Sequence, residues 1–339
     1  MKKVLLTGAS GSIGYQVLKQ LVVKKDVALT VFSKKNSRSK KLFRPYKNSI
    51  NIVYGDIRNL HDLEPAVKGM DYIIHLAAII PPLADDQPEL AEAVNVKGTS
   101  NLLKVIRRHS PKAFLMYSSS VSVYGDRLKN PYIKVNDPLK PSLGEEYAVT
   151  KLAAEELIRK SKLNWTIFRL SAIMWNDNHK ISKLMFHMPL DTYIEITTPE
   201  DTARAFVKAL GREKVLNRKT FNLGGGEKCR TNYRTMLETV FSIVGLKNLD
   251  FPKHAFATTN FHCGYYDDGD DLEQILHFRK QTLDDFYKAY EKATTSFMKK
   301  TTSLLSPLIK RKLLKHSEPY KAYKEKDKEL TNRFFGKNP

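Results

Sequence analysis

Short runs of apolar, β-prone residues recur along the first two thirds of the chain, at positions 4–7, 29–32, 52–54, 72–76, 113–118, 166–170 and 220–223. Between them, apolar residues fall at helical spacing near 13–24, 60–68, 88–109, 145–162 and 200–211. Strand-length runs alternating with helical stretches are the pattern of a parallel, doubly wound α/β sheet. Two stretches, 171–196 and 226–290, break the alternation.

The end of the chain differs in kind. Phe297, Met298, Leu304, Leu305, Leu308, Ile309, Leu313 and Leu314 recur at helical spacing, with Lys299, Lys300, Lys310, Arg311, Lys312 and Lys315 between them. Such a stripe is expected to be buried against the chain itself or in a homodimer, with peripheral attachment to an anionic membrane as the alternative. Pro307 is expected to start or kink a helix. Beyond about Glu318 the charge density predicts loose order.

A chain of 339 residues can bury a large core, in one domain or in a core with a smaller lobe. The two cysteines, Cys229 and Cys263, have no metal-ligand spacing, so the expected compartment is the reducing cytoplasm and no metal is expected. The apolar run after Met1-Lys2-Lys3 ends after three residues, too soon for a signal peptide, and no segment has the ~20 apolar residues of a membrane span. Net charge is the unusual quantity, at +21 from 57 Lys+Arg against 36 Asp+Glu. It concentrates between Lys34 and Lys47 and beyond residue 290, where 13 Lys+Arg face 5 Asp+Glu. Anionic ligands, membranes or nucleic acid would each suit it, but the interleaved aromatics of an RNA-binding sheet are absent, which argues against nucleic acid.

Two segments carry chemistry. Gly8, Gly11 and Gly14 follow Val4-Leu5-Leu6 and open a helical stretch, with Ser10, Ser12 and Ile13 in the same turn. Glycines there let backbone approach a pyrophosphate at a helix N-terminus, where free amides and the dipole favour anions. Tyr147 and Lys151 are four apart in a helical stretch, so both side chains share one face and the cation favours tyrosinate.

With these residues, and with Gly55-Asp56-Ile57-Arg58, His75-Leu76-Ala77-Ala78, Asn95-Val96-Lys97-Gly98-Thr99 and the run from Ser118 to Gly125, the chain resembles the extended short-chain dehydrogenase/reductases. That superfamily includes nucleotide-sugar epimerases, hydroxysteroid dehydrogenases and dihydroflavonol-type reductases. The resemblance, over roughly residues 1 to 290, implies a Rossmann-type core at 1–170 and 197–225. It also implies a C-terminal substrate lobe at 171–196 and 226–290, leaving 291–339 as a basic extension. It further implies that Tyr147 is the general acid/base, Lys151 lowers its pKa and touches the nicotinamide ribose, and Ser120 hydrogen-bonds the substrate oxygen, with Ser119 the alternative if the register slips by one. Asp56 would bond the adenine with Ile57 beside it, Leu76, Ala77 and Ala78 would line the cofactor, Asn95 would brace the sheet, and His75 would be structural.

Cofactor choice turns on the end of the second strand, where NAD enzymes place an acid on the ribose 2′-hydroxyl. Here Ser33, Lys34 and Arg38 offer a hydroxyl and cations, which suits a 2′-phosphate and so NADP(H), with NAD(H) the alternative. Nucleotide-sugar enzymes follow the sixth strand with an Asn and place an Arg before the segment corresponding to 196–201. This chain has Ser171 and Glu195 instead, and Val121-Ser122 lacks the acid pair of sugar 4,6-dehydratases. Met174, Trp175, Leu184, Met185, Phe186 and Met188 crowd the substrate region, as an apolar pocket or as core. The expected activity is hydride transfer between NADP(H) and a fairly apolar secondary alcohol or ketone, a small-molecule substrate. A nucleotide-sugar epimerase with bound NAD and a non-catalytic dinucleotide sensor are the alternatives.

Overall fold

Val4, Leu5 and Leu6 are all fully buried, because the strand they form is covered on both faces. The computed structural model describes residues 1–175 and 183–336; positions 176–182 of the expected lobe and 337–339 of the expected extension lie outside the described residues. In chain order the strands are β1 Lys2–Thr7, β2 Val27–Ser33, β3 Asn51–Tyr54, β4 Tyr72–His75, β5 Phe114–Ser120, β6 Tyr132–Ile133, β7 Asn164–Leu170, β8 Ala172–Ile173, β9 Tyr193–Thr197, β10 Lys219–Leu223, β11 Arg230–Asn232 and β12 Tyr265–Tyr266. Seven of them make one parallel sheet in the order β10-β7-β5-β4-β1-β2-β3. Every strand expected from the apolar runs is in it.

The pleat divides the core in two. Val4, Leu6, Val31, Met116 and Phe168 pack on one face under the Ser12–Val22 and Pro199–Lys208 helices. Leu5, Phe32, Ile73, Leu115 and Ile167 pack on the other, under the Leu60–Val67, Gly98–His109 and Glu146–Lys160 helices. Strand order reverses at β1, which has β2 on one side and β4 on the other. The crevice at the carboxyl ends of β1 and β4 is therefore the topological switch point of this α/β sheet, where ligands bind.

A third core joins β9 and the Tyr233–Val244 helix, through Ile194, Ile196, Tyr233 and Phe241, to Phe186, Phe256, Phe286 and Leu313. Phe186 is fully buried there, with its ring 5.0 Å from that of Phe256 and 5.4 Å from that of Phe251. It is core, whereas Met174, Trp175, Met185 and Met188 are only partly buried against this cluster.

Within the basic cluster Lys34–Lys47, Asn36 and Ser39 form a reciprocal capping box that starts a Ser37–Phe43 helix, and Phe43 is buried. The loose order expected beyond Glu318 is not observed. Helices Glu318–Glu325 and Lys328–Phe335, capped by Ser317 and Asp327, bury Ala322, Phe334 and Phe335 against Ala257. The few apolar side chains there are spaced to meet, which charge density conceals.

A single helix, Ser296–Leu314, carries the apolar stripe and holds Pro307 in its interior rather than at its start, and the chain's own packing buries only part of the stripe. Leu313 enters the third core with Ile309 and Leu314 beside it, while Phe297, Met298, Leu304, Leu305 and Leu308 remain exposed. These apolar residues spread over about two thirds of the helix circumference, so one packed face cannot cover them all.

Candidate functional site

The glycine turn sits at the crevice. β1 ends at Thr7, and Gly8 takes φ +76°, a conformation most side chains avoid. A Cβ on Gly8 would lie 2.6 Å from the Ala77 nitrogen, and one on Gly14 would lie 2.1 Å from the Gly8 carbonyl oxygen, so the turn and helix pack backbone to backbone. Gly11 caps the Ser12–Val22 helix with no side-chain hydrogen bond, and the first turn holds no acidic residue. Its free amides and positive dipole end thus face the crevice, and a dinucleotide pyrophosphate fits this cradle. Leu76 and Ala77 form the opposite wall, where the Leu76 amide donates to the Thr7 carbonyl (3.3 Å) and the Ala77 amide to Thr7 Oγ1 (3.3 Å). Ala78 follows them, partly buried.

At the end of β2, Ser33 is nearly buried. Arg38 arches back so that its guanidinium donates to the Ser10 carbonyl (3.5 Å) beside the glycine turn. Lys34 lies 3.4 Å from the Asp56 carboxylate, which also takes a bidentate grip from Arg58. The Arg58 hydrogen bond holds the Asp56 acid well below its ordinary range. Asp56 thus has two cationic partners, while Ile57 is buried against Gly98. Two of the cations near the crevice are accordingly partly neutralised, and Arg38 keeps its charge without an acid partner among the described residues.

Ser120, the last residue of β5, lies beside the helix that carries Tyr147 and Lys151. Its Oγ accepts from the Ser122 amide (3.2 Å) and from Ser122 Oγ (2.9 Å), and it hydrogen-bonds with Tyr147. Burial pushes the Tyr147 phenol above its ordinary pKa, the Ser120 bond pulls it back, and the Asp85 carboxylate pushes it up again. Ser119 has its side chain on the opposite face of the strand, beside Glu155, so it is Ser120 that the register brings to Tyr147.

Lys151 is 2% exposed, donates to the Ser118 carbonyl (2.7 Å), and stands 5.7 Å from the Tyr147 ring centroid and 4.7 Å from that of Tyr117. Burial brings its ammonium down to about 7, with Glu155 pulling the other way. A lysine so poised can give up or hold its proton near neutrality.

Around this centre stand supports of different kinds. His75 is fully buried with Nδ1 2.8 Å from Thr7 Oγ1 and Nε2 3.0 Å from Thr99 Oγ1, and burial lowers its pKa to about 3, so it is a neutral strut. Asn95, in a π-helical turn at Glu92–Lys97, bonds both backbone groups of Ile79 and the Thr150 hydroxyl. Burial raises both thiols, Cys229 to about 12, which removes them as nucleophiles.

Sequence reasoning missed several of these groups. Asp85 Oδ1 accepts from the Tyr147 amide (3.1 Å), and no motif marks it. Glu155 lies four residues beyond Lys151, so helical spacing from Tyr147 would have found it. It is fully buried and holds Arg169 through two bonds of 3.0 and 2.8 Å. Arg169 continues to the Tyr124 hydroxyl (2.8 Å), and that hydroxyl donates to Asn222 (2.7 Å), so the segment after Ser120 is anchored to β7 and β10. On the lobe side, Glu195 is buried and saturated by Arg230 Nε (2.9 Å) and the amides of Gly226 (3.0 Å) and Tyr266 (3.0 Å).

Comparison with known proteins agrees with this geometry. The model of the NAD dependent epimerase/dehydratase family matches residues 4–189. The 3 beta-hydroxysteroid dehydrogenase type 7 of Mus musculus is 25% identical over 159 residues, 45% of this chain and 43% of its own. An N-acetyl-alpha-D-glucosaminyl-diphospho-ditrans,octacis-undecaprenol 4-epimerase of Escherichia coli O157:H7 is 34% identical over 160 residues, covering 46% and 43%. The chain thus spans about half the length of the curated relatives it matches. Among solved structures, a UDP-glucuronic acid 4-epimerase of Bacillus cereus, in complex with UDP-glucuronic acid and NAD, shares the fold. Its TM-score is 0.72 at 19% identity, over 88% of this chain and 99% of that one.

Proposed function

We propose, from the premise that the chain belongs to the NAD dependent epimerase/dehydratase family, that it oxidises a secondary alcohol or reduces the matching ketone. The observation that carries this reading is the meeting of Ser120, Tyr147 and Lys151 beside the crevice that the glycine turn opens. A bound nicotinamide dinucleotide would supply the hydride acceptor or donor. Gly8, Gly11 and Gly14 would hold its pyrophosphate, and Leu76, Ala77 and Ala78 the opposite wall of the crevice. Ser120 would donate to the substrate oxygen while Tyr147 takes or returns its proton, and Lys151 would favour the phenolate by charge.

Three features support NADP(H) over NAD(H): the absence of an acid at the end of β2, the Ser33 hydroxyl, and Arg38 with its charge free of an acid partner. Lys34 contributes less, since it shares Asp56 with Arg58. An apolar substrate fits the half-buried Met174, Met185 and Met188, and Glu195, an acid, offers a nucleotide diphosphate no cation at that position. An epimerase with retained NAD is the second reading, favoured by the 34% identity to the bacterial 4-epimerase.

Mass spectrometry of the dinucleotide released from purified, denatured protein separates the two, together with fluorescence titration by NADPH and NADH. Exchangeable NADP(H) and net alcohol oxidation support the proposal. Stoichiometric, non-exchanging NAD without net turnover overturns it in favour of the epimerase.

A further inference from the structure

The helix Ser296–Leu314 presents two unlike faces. Its inner face is fixed to the molecule: Ser306 Oγ donates to the Leu246 carbonyl (2.8 Å), Lys310 pairs with Asp250, and Leu313 is buried. At about 100° per residue, positions 297, 301, 304 and 308 fall on the opposite side as one continuous stripe. Phe297, Leu304 and Leu308 are there 75%, 82% and 65% exposed, with Met298 and Leu305 half exposed alongside. Large aromatic and aliphatic side chains aligned in water on a folded surface mark an interaction face.

The charges say what kind. No acidic residue occurs from 296 to 315. Lys300 and Arg311 flank one edge of the stripe, Lys312 lies between Leu308 and Leu305, and Lys315 stands at the stripe's end. Among the described residues none of these four has an ion-pair partner, unlike the inward-facing Lys310. An apolar strip with cations on flexible stems along one edge and within it is the layout of a helix lying in a bilayer interface, with cations reaching up to headgroup phosphates. A second copy of the chain would set the same cations against each other across a two-fold axis, which opposes self-association here. No described helix is long and apolar enough to cross a membrane, so contact would be along the surface.

We propose that this outer face docks on an anionic phospholipid bilayer. The helix also ties the docked surface to the catalytic rim. Just past its end, Glu318 pairs with Lys183, which pairs with Asp86, the neighbour of the Asp85 that holds the Tyr147 amide.

The test is co-sedimentation of the full chain with phosphatidylcholine vesicles, with and without about one third phosphatidylserine, at low and high salt. Binding should require phosphatidylserine and weaken with salt. A Phe297→Ser/Leu304→Ser/Leu308→Ser variant should keep its circular dichroism spectrum and dinucleotide binding but partition at least about tenfold more weakly. A Lys300→Gln/Arg311→Gln/Lys312→Gln variant should lose the phosphatidylserine dependence. Equal binding to neutral vesicles overturns the proposal, and so does full retention of the serine variant, since net charge alone would then be responsible. A dimer that the serine variant dissolves, without vesicle binding by the natural chain, overturns it in favour of a second copy.

Discussion

Asn95 holds Ile79 as a neighbouring strand would: Oδ1 accepts from the Ile79 amide at 2.8 Å, and Nδ2 donates to the Ile79 carbonyl at 3.0 Å. Nδ2 also donates to Thr150 Oγ1 at 3.0 Å, on the helix between Tyr147 and Lys151. One buried amide thus joins the loop after β4 to the helix that carries Tyr147 and Lys151. Asn95→Ala leaves the partly buried Ile79 backbone groups without their partner, at a cost of about 1–3 kcal/mol. Asn95→Asp should be worse than Asn95→Ala, because a carboxylate cannot donate and would be buried charged. Urea midpoints of the three proteins check the order, and equal midpoints would show the clamp to be idle.

Removing the proposed proton-transfer group, the Tyr147 hydroxyl, should separate binding from chemistry. Tyr147→Phe keeps the ring and its packing and loses only the hydroxyl. Dinucleotide affinity should be unchanged while turnover falls by a factor on the order of 100 or more. Full activity of Tyr147→Phe on a substrate the natural chain converts would refute the assigned role.

Ser33→Asp places a carboxylate where the ribose edge of a dinucleotide is expected. It should weaken NADPH by repulsion and favour NADH, inverting the preference proposed for the natural chain. Fluorescence titration of both proteins with both cofactors decides. Tighter NADH binding by the natural chain would sink the NADP(H) assignment.

Lys151 links stability to pH. Its ammonium titrates at about 7 in the folded chain against the ordinary 10.5, because burial disfavours the charge, and Glu155, Tyr117, Tyr147 and His75 surround it. Between those values the unfolded chain holds a proton that the folded chain has released. Stability of the cofactor-free protein should therefore gain up to about 1.4 kcal/mol per pH unit from this group as pH rises. Below about 7 both states are protonated and the penalty is complete. Lys151→Met should remove that contribution and be more stable than the natural chain at pH 7. Parallel urea-midpoint profiles for the two proteins from pH 6 to 9.5 would rule the linkage out.

All seven strands of the main sheet were legible as apolar runs because parallel strands covered on both faces have little room for polar residues. The glycine turn was legible too, since Gly8 and Gly14 meet backbone that leaves no space for a Cβ. The Ser37–Phe43 helix and the two last helices were not legible. Their apolar content is a few residues, Phe43, Ala322, Phe334 and Phe335, whose partners are distant in sequence.

By itself the sequence determined what local spacing can encode: the alternation of strands and helices, the turn at the end of β1, and a tyrosine and lysine on one helical face. The tertiary structure alone decided which serine meets Tyr147, because the pleat sends Ser119 toward Glu155 and Ser120 toward the phenol. It alone decided that Asp85 braces the Tyr147 amide and which groups Asn95 grips, because their partners lie some 60 and 16 residues away and are brought together only by the fold. It also decided which half of the terminal apolar stripe is covered, since that depends on the one face the Tyr233–Val244 helix and its neighbours present, a surface that exists only once the chain has folded.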